Sequence, residues 1–277
     1  MANPLHSLFF KPFFKPPGNN KAAKRQLMAF AAGVGMLLLV FPGFRHAIWR
    51  LFDYPFHYRE YRHFGIALPG NYTVHGIDVS RYQHRIDWER VRRMQVGNVR
   101  MSFVFIKATE GSWIKDPYFA HNWKNARKEG LMCGAYHYFL PDISAKDQAR
   151  HFTRQVKLTS GDLPPVVDVE EKRGMSREQI RKNTLQFMQA LEKHYRVKPI
   201  LYTNLDFYKT YFADDPAFAG FPRWIAHYRT PRLVMPGDVG WHFWQHNDNG
   251  RVNGINADVD FNVFNGSLQD LNKLAIP

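Results

Sequence analysis

This chain of 277 residues has a single cysteine and no recognisable spacing of metal ligands. Cys133 is the only cysteine, so no disulfide can form within the chain, and its apolar surroundings predict a small buried side chain. The thirteen histidines include neither a His-Glu-x-x-His motif nor a clustered metal-ligand spacing. A Gly-x-Ser-x-Gly nucleophile turn and a phosphate-binding glycine loop are also absent. The sequence therefore predicts no metal and no other cofactor.

Acidic residues are in the minority, with 24 Asp and Glu against 38 Lys and Arg and a net charge of +14. Half of this excess lies in the first 70 residues, where nine Lys and Arg stand against Asp53 and Glu60. A basic segment beside an apolar run indicates a membrane surface, and a mildly basic remainder indicates an anionic partner. No nucleic-acid-binding motif is recognisable. An acidic polymer such as the bacterial cell wall, with its peptide carboxylates, is therefore favoured over nucleic acid.

Long uncharged apolar runs are limited to one, the eighteen residues LMAFAAGVGMLLLVFPGF at 27–44. A membrane-spanning helix needs roughly 20 apolar residues, so this run is just long enough. Basic residues flank it and no small-x-small cleavage site follows it, which favours an uncleaved anchor over a cleaved signal peptide. The predicted organisation is a basic cytoplasmic tail (1–26), a single transmembrane anchor (27–44), a juxtamembrane stem (45–70) and a globular domain (71–277).

Short apolar strands alternate with helical stretches from about residue 72 onward. Five strand–helix units come first, and three strand-like runs with little helix between them follow. Strand–helix repeats of this length predict an α/β fold with a parallel sheet, and eight such strands predict a TIM-barrel-like barrel. The predicted strands are Val74–Val79, Phe103–Ala108, Leu131–Phe139, Pro165–Glu170, Pro199–Thr203, Arg223–Tyr228, Trp241–Gln245 and Asp258–Phe264. The predicted helices are Asp87–Gln95, Tyr118–Glu129, Ala145–Leu158, Arg177–Tyr195 and a short one near Phe207–Tyr211.

Polar and aromatic residues gather where nearly every predicted strand ends, and in a parallel barrel that end holds the active site. Asp168 and Glu170 lie two apart on a strand, so both side chains point to the same side. Apolar residues precede them and predict a partly dry setting, in which neighbouring carboxyl groups raise each other's pKa. One carboxyl can then remain a general acid while the other stays charged, as glycoside hydrolysis requires. The alternative is a solvated acidic turn, because Glu171 follows directly.

Two further aspartates and several aromatic residues are weaker candidates. Asp78 closes the first predicted strand and Asp260 lies on the eighth, and from the residues alone each is equally well explained as a turn or strand-end aspartate. Aromatic rings are suited to sugar faces, although each ring taken singly is better explained as part of the core or the rim. The aromatic candidates are Trp113, Tyr138, Tyr202, Trp224 and Trp244.

Several separate motifs in one order resemble the lysozymes of glycoside hydrolase family 25. The resemblance covers residues 72–267 and is closest to the Gram-negative version with an N-terminal anchor, which implies a span in the inner membrane and a catalytic domain (71–277) in the periplasm. The motifs are HGIDVSRYQHRIDW, FVFIKATEGSWIKDPYFAHNW, GLMCGAYHYF, PPVVDVEE, PILYTN, RWIAHY and FWQHNDNGRVNGINADVDFNVFNG.

This resemblance implies a (β/α)5(β)3 barrel that hydrolyses the β-1,4 bond between N-acetylmuramic acid and N-acetylglucosamine in peptidoglycan. It implies that Glu170 is the general acid and that Asp168 assists the 2-acetamido group or the cationic transition state. Asp78 and Asp260 would complete the catalytic set by lining the cleft. Whether a side chain or the acetamido group is the nucleophile stays open. The expected substrate-binding residues are Tyr138, Tyr202, Glu110, Trp224 and Gln245.

Two other functions are compatible with the same fold. One is a non-catalytic peptidoglycan-binding or scaffolding protein, against which the complete set of four acidic residues argues. The other is a hydrolase of another amino-sugar polymer such as chitin, against which the missing Asp-x-x-Asp-x-Asp-x-Glu run argues. Arg81 follows the first strand near the expected cleft, where we expect it to affect a contact with the wall peptide. We expect a monomer.

Overall fold

The computed structural model describes residues 58–277. The predicted tail (1–26), the predicted span (27–44) and the first part of the predicted stem lie outside the described residues. Within the described part, none of the helices combines the length and apolar character needed to cross a membrane.

Twelve strands and six α-helices make up the described part of the chain. The strands are β1 (Tyr58–Tyr61), β2 (Ile66–Pro69), β3 (Val74–Val79), β4 (Gln95–Val96), β5 (Val99–Glu110), β6 (Ile114–Lys115), β7 (Met132–Tyr138), β8 (Val166–Asp168), β9 (Ile200–Asn204), β10 (Arg223–Ala226), β11 (Phe243–Gly250) and β12 (Val259–Phe264). The helices are α1 (Trp88–Arg93), α2 (Phe119–Lys128), α3 (Ala145–Gln155), α4 (Arg177–Tyr195), α5 (Leu205–Tyr211) and α6 (Leu268–Leu274). Short 3-10 turns lie at Arg81–Gln83, Pro216–Phe218 and Pro236–Asp238.

Eight of these strands close into a barrel in the order β3, β5, β7, β8, β9, β10, β11 and β12, and β12 returns to β3. One α-helix follows each of the first five barrel strands, and the last three barrel strands have none between them. The predicted rhythm of five strand–helix units and three further strands is therefore confirmed.

The eighth barrel strand corrects the expectation of a fully parallel sheet. β12 runs antiparallel to both of its neighbours, β11 and β3, whereas the other barrel pairs are parallel. The physical reason is the connection, because β11 and β12 are joined by a short loop without the crossover that a parallel pair requires. The start of β12, rather than its end, therefore lies beside the carboxyl end of β3.

Side chains alternate along the barrel strands between the lumen and the helix layer, as the pleat requires. In the lumen, the ring of Phe105 stacks on Trp224 at 4.3 Å and meets Phe243 edge-on at 5.1 Å. The glycines of β3 and β7 leave room for these rings, because a Cβ at Gly76 would collide with Phe103 and one at Gly134 with Phe105. The lumen is thus a packed aromatic core, and its apolar floor lies under the carboxyl end of the strands.

The helix layer is held by regular caps and apolar stripes. Ser176 caps the N-terminus of helix α4: its hydroxyl accepts from the Gln179 amide, and the Gln179 side chain accepts from the Ser176 amide. One face of α4 is buried at helical spacing and packs against α3 and the barrel. The buried residues are Ile180, Thr184, Phe187, Met188 and Leu191.

The first two strands, the short strands β4 and β6 and the last helix were not predicted. β1 and β2 form an antiparallel hairpin in which Phe64 and Leu68 are buried, and the Phe64 ring lies 5.3 Å from that of Phe261 on β12. This hairpin covers part of the side that lacks α-helices, so the packed unit includes residues assigned to the stem and extends beyond the predicted boundary at residue 71. At the opposite end, Leu271 of α6 packs with Val74 and Phe264 and closes the bottom of the barrel.

Candidate active site

The four predicted catalytic carboxyl groups line one cavity at the carboxyl end of the parallel strands. The cavity has a volume of about 190 Å³ and rests on the aromatic core of the lumen. Its lining residues are Asp78, Tyr136, Asp168, Glu170, Tyr202, Trp224, Tyr228, Gln245 and Asp260.

Asp78 and Asp260 form the first carboxyl pair. They lie opposite each other on the neighbouring strands β3 and β12, within hydrogen-bonding reach. Asp78 Oδ2 accepts from Asn262 Nδ2 at 2.7 Å and from Gln245 Nε2 at 2.8 Å. The antiparallel course of β12 is what makes this pair, because it brings the beginning of the strand to the carboxyl end of β3.

Other donors fix the orientation of both amide groups. The Trp224 indole N–H, which can only donate, points at Asn262 Oδ1 at 2.7 Å, so the Asn262 amide nitrogen must face Asp78. The Tyr202 hydroxyl donates to Gln245 Oε1 at 2.7 Å, and this directs the Gln245 nitrogen to the same carboxylate. Asp78 therefore receives two N–H donors that cannot turn away without losing partners of their own.

These contacts separate the pKa values of the first pair. Burial, and then the neighbouring Asp78 carboxylate, raise the pKa of Asp260 to about 10. Burial also raises the pKa of Asp78, but the donors Asn262 and Gln245 oppose it and hold the value at about 6. Near neutral pH the pair therefore carries one proton, on Asp260, and one negative charge, on Asp78.

Asp168 and Glu170 form the second carboxyl pair. Asp168 is the last residue of β8, and its pKa is raised well above the ordinary value by burial and by the charge of Glu170. Burial raises the pKa of Glu170 as well, but a hydrogen bond from Asp168 lowers it. Of the two carboxyl groups, Asp168 therefore holds a proton more strongly than Glu170. Its Oδ1 atom is buried and has no hydrogen-bond partner among residues 58–277.

Lys107 supplies a positive charge beside the second pair. Its ammonium group lies 2.7 Å from Glu110 Oε2 and 4.6 Å from the centre of the Tyr138 ring. The Lys107 charge lowers the pKa of both Asp168 and Glu170, against the larger effect of burial. The site thus consists of two carboxyl pairs above the apolar floor of the barrel lumen, with the Lys107 cation at its edge.

Comparison with known proteins agrees with this geometry. The model of the glycosyl hydrolases family 25 matches residues 77–255. This chain belongs to that family. It is a glycoside hydrolase, and its eight-stranded barrel matches the solved family 25 structures.

The relatives of this family 25 chain include proteins of known and unknown activity. Lysozyme M1 of Streptomyces globisporus is 36% identical over 214 residues, which cover 73% of this chain and 71% of that protein. The uncharacterized protein YegX of Escherichia coli K12 is 49% identical over 214 residues, which cover 77% of this chain and 78% of that protein.

Solved family 25 structures superpose on most of the chain. The family 25 glycosyl hydrolase of Bacillus anthracis aligns with a TM-score of 0.69 at 34% identity, covering 78% of this chain and 99% of that one. The bacterial lysozyme of Streptomyces coelicolor aligns with a TM-score of 0.68 at 34% identity, covering 74% and 98%.

The structure brings together most of the predicted site of this family 25 hydrolase. Of the expected substrate-binding residues, Tyr202, Trp224 and Gln245 line the cavity beside the four acids. Tyr138 and Glu110 do not line it. They lie at its edge around Lys107, where the Tyr138 hydroxyl donates to Glu171 at 2.9 Å.

The aromatic platform candidates divide by exposure. Trp113 is 66% exposed, whereas Trp244 is fully buried in the helix-side core and donates to the His227 carbonyl at 2.8 Å. Trp244 is therefore a structural residue. Its place follows from the alternation along β11, which turns Gln245 into the lumen and Trp244 away from it.

Sequence reasoning missed Tyr136, Tyr228, Asn262 and Lys107. Period-two alternation was a usable signal for two of them, since Tyr136 shares a face with Tyr138 and Asn262 shares one with Asp260. The Tyr228 hydroxyl donates to Gln245 at 2.5 Å from a residue just beyond β10, where no regular pattern applies.

A larger cavity lies apart from the carboxyl pairs. Its volume is about 1070 Å³, and it is lined by α1 and the loop between β11 and β12, with Arg90, Arg93 and Arg251 among its side chains. The smaller cavity is the better candidate for chemistry because it holds the four acids.

Within residues 58–277 no group of three His, Cys, Asp or Glu is arranged to hold a metal ion, and the absence of a cofactor remains a prediction.

Proposed function

We propose that this family 25 hydrolase is an N-acetylmuramidase, which cleaves the β-1,4 bond between N-acetylmuramic acid and N-acetylglucosamine in peptidoglycan. The observation that carries the proposal is the Asp168–Glu170 pair, two carboxyl groups that line one cavity above the aromatic core and whose pKa values are both raised by burial. The names of relatives support it, since they include a lysozyme and the N,O-diacetylmuramidase of Arthroderma benhamiae.

In this proposal Glu170 is the general acid and Asp168 assists it. The acetamido N–H of the bound sugar donates to the unpartnered Oδ1 of Asp168, which stabilises the ionised form of that carboxyl. The shared proton then passes to Glu170, which delivers it to the glycosidic oxygen as the bond from C1 to that oxygen breaks. Binding of the substrate thus reverses the order in which Asp168 and Glu170 hold the proton.

Asp78 and Asp260 act as a fixed negative charge near the reacting carbon. The single charge of this pair stabilises the positive charge that develops at C1 and the ring oxygen. A new bond to C1 forms from the acetamido oxygen or, in its place, from a side-chain carboxylate of the site, and Glu170 is the general acid in both cases. Water then opens the intermediate, with Glu170 taking the proton back.

The test uses the full chain in detergent and purified peptidoglycan, with chemical identification of the new reducing ends. The proposal expects muramic acid ends, and it expects them to disappear in Glu170→Gln and to fall sharply in Asp168→Asn. Glu89→Gln, an exposed glutamate on α1, is the matched control and should keep full activity. Binding to peptidoglycan without new ends would favour the non-catalytic alternative, and new glucosamine ends would contradict the bond assignment.

We further propose that residues 27–44 anchor the protein in the inner membrane, with the catalytic domain in the periplasm. The uncharged run between basic flanks supports this proposal. A reporter that is active only in the periplasm, fused after residue 277, should give a signal, and a cytoplasmic signal would contradict the topology. Recovery of a chain shortened at its N-terminus would indicate cleavage instead.

A further inference from the structure

Two aromatic rings stand out on the surface at the catalytic end of the barrel. Tyr82 and Trp113 are each 66% exposed, more than any other large apolar or aromatic side chain described. Tyr82 lies in the 3-10 turn that follows β3, and Trp113 lies at the tip of the hairpin that β5 makes with β6. Neither ring is explained by the core or by the catalytic cavity.

The two segments that carry these rings are tied together. The Arg81 amide donates to Asp116 Oδ2 at 2.6 Å, which joins the turn after β3 to the segment after β6. The His84 ring lies edge-on to Tyr118 at 5.4 Å. The rings therefore stand on a braced rim, which lowers the entropic cost of ordering them around a ligand.

This rim adjoins the first carboxyl pair. Asp78 lies four residues before Tyr82, and Gln83 donates to the Asp258 carbonyl at 2.8 Å, just before Asp260 on the neighbouring strand. The rim is thus part of the wall between the strand carrying Asp78 and the strand carrying Glu110. A polymer that lies across the catalytic cavity in this direction must pass over it.

The chemistry of the rim fits a sugar with an acidic substituent. Exposed aromatic faces offer apolar, rigid surfaces against which the C–H face of a pyranose packs. The exposed guanidinium of Arg81 lies 5.3 Å from the centre of the Tyr82 ring and donates to the Tyr82 hydroxyl at 3.4 Å, and among residues 58–277 it lies within 4 Å of no carboxylate oxygen. It is therefore available to a carboxylate, to which its planar fork binds in two places.

We propose that Arg81, Tyr82 and Trp113 form an outer subsite for the glycan strand, in which the rings stack on a sugar beyond the cleavage point and Arg81 binds a carboxylate of its peptide. The inference rests on the proposed muramidase function and adds to it a substrate preference for long, peptide-bearing strands. Substrate held there does not touch the reacting atoms, so it contributes to binding rather than to the chemical step.

The first experiment measures kcat and KM on long strands and on short fragments that do not reach the rim. Trp113→Ala and Tyr82→Ala should each raise KM on long strands by roughly tenfold with kcat unchanged, and should leave short fragments unaffected. Leu268→Ala is the matched control, because Leu268 is an exposed apolar residue on α6 at the opposite end of the barrel. Unchanged KM on long strands, or an equal loss on short fragments, would overturn the subsite.

The second experiment separates the carboxylate from the sugar. Arg81→Gln should raise KM on strands that carry peptides and have no effect on strands whose peptides an amidase has removed. Arg100→Gln is the charge-matched control, since Arg100 lies at the other end of β5. An equal effect on both kinds of strand would contradict the role of Arg81.

The outer subsite is tested separately from turnover by direct binding. In the Glu170→Gln background, affinity for long strands should fall on adding Trp113→Ala, whether or not the parent protein is active. Absence of muramic acid ends with the unmodified chain would refute the proposed function alone. Affinity that does not change with Trp113→Ala would refute the subsite alone.

Discussion

Asn262 should set the acidic limb of the pH profile, although it touches no substrate in the proposed mechanism. Its amide donates to Asp78 at 2.7 Å, and Trp224 fixes the orientation of that amide. In the proposed mechanism, the Asp78 carboxylate carries the single negative charge of its pair with Asp260, and this charge stabilises the transition state. Replacing Asn262 with Leu keeps the approximate volume and removes this donor, while Gln245 still donates to the same oxygen.

The size of the effect follows from the strength of one hydrogen bond. A hydrogen bond to a charged group contributes about 1.5–3 kcal/mol, and about 1.4 kcal/mol corresponds to one pKa unit. Loss of the donor in Asn262→Leu should therefore raise the pKa of Asp78 by about 1–2 units, from about 6 into the range of about 7–8. The acidic limb of kcat/KM should move upward by the same amount.

Stability gives an independent measurement of the same change. The lost donor stabilises only the charged form of Asp78, so the destabilisation of Asn262→Leu should grow as the pH rises through about 6. A second, pH-independent loss is expected because the Trp224 N–H is left without its partner. Thermal unfolding well below and well above that pH separates the two contributions.

Asn265→Leu is the matched control, since Asn265 is an exposed asparagine just after the far end of β12. It should leave the pH dependence of kcat/KM, including the acidic limb, unchanged. An acidic limb that does not move in Asn262→Leu, in a protein with the native circular dichroism spectrum, would refute the assignment of that limb to Asp78.

Three further predictions concern packing and charge. Gly134→Ala should destabilise the barrel by about 1–3 kcal/mol, measured by chemical denaturation, because the added methyl collides with the Phe105 ring; an equally stable variant would contradict the close approach. His246 is buried with a pKa lowered to about 3 by burial and then by His75, so its neutral form is required in the folded state. As the pH falls from 6.5 to about 5, the unfolded chain gains a proton at this position, and the free energy of unfolding should therefore fall by about 2 kcal/mol. His246→Phe should remove this contribution from the pH dependence of unfolding. Lys107→Met should raise the pKa of Glu170, since the cation that lowers it is gone, and should move the basic limb of kcat/KM upward; a downward shift would contradict the role of Lys107.

The Asp168–Glu170 pair, at and just after the end of β8, was predictable because its signal is local. Asp168 and Glu170 follow an apolar strand at a spacing of two, and the strand period alone places them on one side. The pairing of Asp78 with Asp260 depends instead on the direction of β12, which follows from the absence of a crossover after β11. The composition of the strand does not encode that direction, so the sequence indicated two separate aspartates where the structure has one pair.

The hydrogen bonds from the two amide groups to Asp78 could not be predicted from the sequence for a similar reason. In the sequence, Asn262 and Gln245 look like ordinary strand residues. Only the folded structure brings Trp224 and the tyrosines to their amide oxygens, which directs both amide nitrogens to the Asp78 carboxylate. The hairpin at residues 58–69 was missed because its basic and aromatic composition resembled a membrane stem. The burial of its Phe64 depends on packing against the side of the barrel that no helix covers, which the local sequence does not show.

The helix that closes the bottom of the barrel also determines how the enzyme can be attached to a surface. The Ile276 amide donates to the Asp162 carbonyl at 2.8 Å and its carbonyl accepts from Gly161 at 2.9 Å, so residue 276 is held at the pole opposite the carboxyl pairs. A tether joined after Pro277 would therefore point the cleft away from a bead or sensor chip. Immobilised in that orientation, the protein would present its cleft to long glycan strands in solution.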